Sequence, residues 1–189
     1  MQNKNSFNGR FTLVKSGFTL IEVLVVVLII GILTSIALPQ YQRSVVKARN
    51  ANFKQDIMSV SNAQDVYLET FNTCADSFDA LDVSIPLAVE TEDPCTIGHN
   101  GSDAMRGNGD YYIVLNNVGN TCSITGAWKK GDYKCTGFSY IVNSPSLEES
   151  NHTLMCVEKG DATKRGVFCS KLEHASFVTY AGYWDWYSL

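Results

Sequence analysis

Apolar and polar residues follow three regimes along the 189 residues of this chain. Over residues 18–38 the side chains are apolar almost without interruption, with Glu22 as the single charge. At about 1.5 Å per residue, a helix over that run is roughly 31 Å long, the thickness of a bilayer's hydrocarbon core, so the pattern predicts a membrane-spanning helix. After Pro39, the residues Val46, Phe53, Ile57, Val60, Tyr67 and Phe71 recur at steps of three, four and seven, with Lys47, Lys54, Asp56, Gln64 and Asp65 among them. This second regime predicts an amphipathic helix whose stripe buries against a sheet. Beyond Thr73 the helical period stops, and β-prone runs appear at 111–115, 122–128, 138–142, 154–157 and 166–169, separated by turn chemistry such as "KKGDY" and "EKGDATKRG". The stretch 73–95, with two prolines, reads as a long connection holding a short helix.

The pattern therefore predicts an α+β fold: a long N-terminal helix, membrane-spanning in its first half and amphipathic in its second, packed on an antiparallel sheet of about four or five strands. It divides the chain into 1–17, a short basic lead; 18–39, the apolar half of the helix; 40–72, the amphipathic half; and 73–189, a β-rich head that packs with 40–72. Pro39 removes a backbone hydrogen bond where the two halves meet, and Gly31 lies eight residues before it, so the junction is a place for a kink or local melting. A cleaved signal peptide is the competing reading of the start. The run is longer than a usual signal core, however, and "TSIALPQYQ" offers a poor cleavage site.

Charge and cysteine refine this picture. The formal net charge is −4, and the first seventeen residues hold Lys4, Arg10 and Lys15 with no acid, so the remainder is more acidic than the whole. That balance disfavours nucleic acid as a partner, because it repels phosphate over most of the surface. Lys129, Lys130 and Lys134 form the one basic strip to test. The six cysteines, Cys74, Cys95, Cys122, Cys135, Cys156 and Cys169, all follow the apolar run and form no CxxC pair, which points to disulfides in a head outside the cytoplasm. Six cysteines permit fifteen pairings. The turn-rich stretches favour sequential neighbours, Cys74 with Cys95, Cys122 with Cys135 and Cys156 with Cys169.

Glu22 carries the candidate chemistry. Fixing an ionised carboxylate in hydrocarbon costs about 3 kcal/mol even on lenient scales, and nothing else in 18–38 is ionisable. Its counter-charge must come from another molecule or from an α-amino group made by cutting nearby. Cleavage between Gly17 and Phe18 would create that amine four residues away.

With these residues in view, "KSGFTLIEVLVVVLIIGILTSIALP" resembles the class III leader junction of type IV pilins and type II secretion pseudopilins: a basic leader ending in Gly, then an aromatic, then a glutamate fifth in an apolar helix. The resemblance is close over about residues 12 to 60. It implies a pilin fold, cleavage after Gly17 by a prepilin peptidase, N-methylation of Phe18, and polymerisation through the helix, with Glu22 neutralising the amino terminus of a neighbouring subunit. Gly31 and Pro39 stand where such helices carry breaks. The implied partners are further copies of the chain, other pilins, the peptidase, and indirectly an inner-membrane platform protein and an assembly ATPase. The implied location is the bacterial inner membrane before assembly, with the head in the periplasm, and then an extracellular or periplasmic filament. Alternatives are a pseudopilin of a type II secretion system and a minor pilin for adhesion or DNA uptake. Cys156 and Cys169 are the candidates for the C-terminal loop disulfide of the family.

No enzyme, metal or cofactor is expected. His99, His152 and His174 are scattered, and HExxH, Walker A and GxSxG patterns are absent. The stretch "HNGSDAMRGNGD" lacks EF-hand spacing and reads as a plain loop. The aromatic tail, with Trp184 and Trp186 on one face, is read as a final strand packing on the core or a neighbour, with an adhesive patch as the other reading.

Overall fold

The computed structural model describes residues 17–98, 103–118, 121–144, 151–162, 165–181 and 183–189. The chain divides into two compact units, residues 1–45 and 46–189. Helix α1 (Leu20–Phe71) runs from the first into the second and contains Pro39. The helix continues through Gly31 and Pro39, although Pro39 offers no N–H to the Ser35 carbonyl.

In the first unit every described residue from 17 to 44 is exposed. This part of α1 is long and apolar enough to cross a membrane.

In the second unit, a 3-10 turn (Phe78–Ala80) follows α1, and then eight strands form one sheet: β1 (Ala88–Val89), β2 (Met105–Gly107), β3 (Tyr111–Val118), β4 (Thr121–Trp128), β5 (Thr136–Asn143), β6 (Thr153–Lys159), β7 (Ser176–Ala181) and β8 (Trp184–Ser188). Neighbours pair antiparallel in the order β1-β2-β3-β4-β5-β6-β8-β7. Among the described residues the sheet thus has eight strands where four or five were expected. The extra strands are two-residue and three-residue pieces at one edge and a C-terminal hairpin at the other.

One expected strand does not form. Residues 166–169 enter a π-helical turn (Phe168–Leu172) instead. The cause is the buried Glu158 carboxylate, which accepts from the Gly166 and Cys169 backbone N–H groups (2.7 Å for Cys169), so these donors are taken before a strand partner can use them.

The middle strands of the sheet are covered on both faces, which is why they read as near-continuous apolar runs, whereas β7 at one edge is exposed throughout. Tyr111, Ile113, Leu115, Ile124, Trp128, Phe138 and Tyr140 share one core with Phe53, Ile57 and Val60 of α1. Phe53 is its centre: it stacks on Tyr111 at 4.2 Å and meets Trp128 and Phe138 edge-on at 5.5 Å. The alternate residues Tyr112, Val114 and Ala127 join Met105, Cys95 and Cys135 in a second cluster on the other face. The stripe of α1 departs from expectation at its end. Phe71 is exposed and packs beside Tyr67 at 4.6 Å, whereas Asn50, Ser61 and Gln64, polar by type, are buried.

All six cysteines are paired, as Cys74–Cys122, Cys95–Cys135 and Cys156–Cys169. Sequential pairing holds only for the last. The first two interlock because Cys74, just past α1, lies against β4 at a Cα separation of 6.1 Å, while Cys95 lies under the start of β5 at 5.3 Å from Cys135. Proximity in the sheet, rather than in sequence, decides the partners.

Candidate functional site: the start of helix α1

Thr19 and Glu22 form a reciprocal cap at the start of α1. The Thr19 backbone N–H and its hydroxyl both donate to Oε2 of Glu22, at 2.8 and 2.7 Å, and the Glu22 N–H approaches Thr19 Oγ1 at 3.4 Å. This is a capping box, in which a Thr and a Glu three residues on satisfy each other's backbone donors. The Val23 N–H to Thr19 carbonyl bond, 3.3 Å, closes the first turn.

The arrangement changes the expectation for Glu22. A hydrogen-bonding partner does not have to come from another molecule, because Thr19 supplies two donors. The carboxylate still lacks a counter-charge among the described residues, and two neutral donors do not neutralise it. The signal for Thr19 was present in the sequence as T-x-x-E ahead of an apolar run. A negative group in the first turn also suits the positive end of the helix dipole.

Around this cap the geometry is open. Gly17 and Phe18 precede the helix and are exposed, and an added Cβ at Gly17 or at Gly31 would meet nothing within 4 Å. Leu20, Ile21, Val23, Leu24 and the apolar residues that follow to Leu38 are exposed on every side of the helix. Such a surface is stable in lipid or against other helices, not in water.

In the second unit the remaining candidates fall apart as a site. Lys129 is paired with Glu90, and Lys130 lies 3.6 Å from Asp110, so two of the three strip lysines already face acids. His152 stands 3.4 Å from Asp65, His174 is exposed, and His99 lies outside the described residues. Of the stretch 99–110, residues 99–102 lie outside the description, and Met105–Gly107 form β2. Among the described residues, no group of three or more His, Cys, Asp or Glu could hold a metal ion. In the tail, β8 is a final strand paired with β6, as expected; it buries Asp185 and Tyr187 and leaves Trp184 and Trp186 half-buried, with Trp184 packed against the second core cluster. Arg165 explains the inward acid: its guanidinium pairs with both oxygens of Asp185, 2.7 Å at the longer contact.

Comparison with known proteins identifies the open N-terminal segment. The prokaryotic N-terminal methylation motif matches residues 11–38. This match supports the resemblance of the N-terminal segment to type IV pilins and pseudopilins. Among curated relatives, the type II secretion system core protein G of Aeromonas hydrophila is 39% identical over 77 residues, 39% of this chain and 53% of the relative. Those of Pseudomonas aeruginosa and Escherichia coli are 43% and 41% identical over 53 and 51 residues, covering 28% and 27% of this chain and 37% and 35% of the relatives. The similarity thus spans about half the length of the first of these relatives and about a third of the other two. No solved structure matches the chain.

Proposed function

We propose that the chain is a structural subunit that polymerises into a pilus-like filament through α1, after cleavage between Gly17 and Phe18 and N-methylation of Phe18. The observation that carries this reading is the coincidence, in one segment, of the methylation motif, a helix exposed on all sides from Leu20 to Ser44, and a single capped carboxylate without a counter-charge among the described residues. Thr19 keeps Glu22 pointed and hydrogen-bonded while the subunit waits in the membrane. An incoming subunit's Phe18 amine then supplies the missing charge, and the pair fixes axial register, since a slip would leave two charges buried alone. Partners in this reading are copies of the chain and other pilins, a prepilin peptidase, a platform protein and an assembly ATPase. The precursor sits in the bacterial inner membrane with its head in the periplasm, and the filament is periplasmic or extracellular. Gly31 and Pro39 serve as places where α1 can lose helix during assembly.

A second reading is favoured by a specific observation: the relatives carry the name type II secretion system core protein G. In that reading the filament is a short pseudopilus rather than a surface pilus. Mass spectrometry without reduction, on sheared surface filaments and on membranes, distinguishes them. A chain beginning at methylated Phe18 that dominates surface filaments supports the pilus; the same processed chain confined to the envelope supports the pseudopilus. An intact Met1 terminus in assembled material would overturn both. The same spectra are expected to contain Cys74–Cys122, Cys95–Cys135 and Cys156–Cys169 linked peptides.

A further inference from the structure

One recess on the head has no wall from α1 among its described residues. It has a volume of about 560 Å³, within the range of small-molecule sites, and is walled by Thr96, Lys159, Asp161, Arg165, Tyr180 and Tyr183. Three segments distant in sequence build it: the loop after β6, the β7–β8 hairpin, and the turn held by the Cys95–Cys135 disulfide. Gly160 ties two of them, its N–H donating to the Tyr183 carbonyl at 2.8 Å. Among the described residues the ionic groups inside are matched. Lys159 Nζ lies 3.7 Å from Asp161, and Arg165 is held by the nearly buried Asp185. The two tyrosines, by contrast, present more than half of their surface to solvent.

We propose that this recess binds an uncharged saccharide. A pyranose offers one C–H face and a rim of hydroxyls that each donate and accept. The recess offers flat aromatic rings for the first, and for the second the Asp161 carboxylate as acceptor with Lys159, Thr96 and the phenols as donors. A phosphate ester or nucleotide would need surplus positive charge, and among the described residues of the recess each cation faces a carboxylate. An acyl chain would need an apolar lining, which charged and hydroxyl groups interrupt. The proposal is independent of the filament reading, because it concerns the isolated chain.

The test is saturation-transfer NMR on the full chain in detergent micelles with lactose, maltose and cellobiose as probes, and with 3′-sialyllactose and inorganic phosphate as charged competitors. Saturable transfer to a neutral disaccharide is expected, weakened about tenfold or more in Tyr183→Ala and in Asp161→Asn, and unchanged in Lys134→Ala, an exposed site outside the recess. Unchanged circular dichroism and intact disulfides in the variants tie the loss to contact rather than folding. Absence of transfer from all three neutral sugars, binding that survives Tyr183→Ala, or tighter binding of phosphate or the sialylated sugar would each overturn the proposal.

Discussion

Glu158 shows how one side chain can redirect a segment. It is completely buried, and it accepts from two backbone N–H groups of the turn that carries Cys169, with the Tyr187 hydroxyl at 3.5 Å. In sequence it is an ordinary acid in "MCVEKG", and nothing in its spacing to Gly166 or Cys169 announces the contact. Removing it strands the buried Cys169 donor and the half-buried Gly166 donor, so Glu158→Ala is expected to destabilise the head by about 1–3 kcal/mol. A urea unfolding midpoint on the full chain in micelles measures this; a loss under about 1 kcal/mol would mean that the disulfide alone holds the turn. Glu22 is the opposite case. Its pairing with Thr19 is local, three residues apart, and therefore legible from the order of residues alone, whereas its proposed counter-charge lies on another molecule, beyond what one chain can state.

At the level of elements, the strands that form the middle of the sheet were legible, and the edges were not. Strands β3 to β6 coincide with β-prone runs because both of their faces are buried, so apolar residues are continuous there. β1 and β2 are too short to show a period, and the disulfide partners depend on which strands lie side by side. Close packing of α1 on β4 adds a requirement that residue spacing does not reveal. At Gly126, opposite Phe138 in the ladder, an added Cβ would lie 2.5 Å from the Phe53 ring and 3.0 Å from the Tyr112 carbonyl oxygen. Gly126→Ala is therefore expected to cost about 1–3 kcal/mol by pushing Phe53 off its stack on Tyr111. Thermal unfolding followed by near-ultraviolet circular dichroism checks it, and an unshifted midpoint would mean that the helix slides freely over the sheet.

For the whole molecule, acid is the condition that bears on many contacts together. Lys129 holds the Glu90 carboxyl below its usual range, and Arg106 does the same for Asp103. For Asp93, burial opposes the charge, yet donation from Tyr112, Gly98 and Ile97 outweighs it and the group is again lowered. Acids lowered by folding contribute stability that is full above their unfolded value, near pH 4, and is lost as pH falls through the folded values. Asp65, raised mainly by burial, acts in the other direction, favouring the fold at low pH and losing that contribution as pH rises. With three lowered against one raised, the urea midpoint is expected to hold between pH 7 and 5 and to fall between pH 4 and 2, with a shallower fall in Asp93→Asn. An equal midpoint at pH 7 and pH 3 would contradict this. The sign of this pH dependence was not legible in the sequence, because it comes from which partner each carboxylate meets in the fold.

The Cys74–Cys122 bond has a mechanical meaning as well. Cys74 follows α1 by three residues, and its partner is in β4, in the interior of the eight-stranded sheet. A pull along the helix would therefore pass by a covalent shortcut into the middle of the ladder. The 48-residue separation between the two cysteines would stay out of the load path, withholding roughly 170 Å of chain that would otherwise pay out under force.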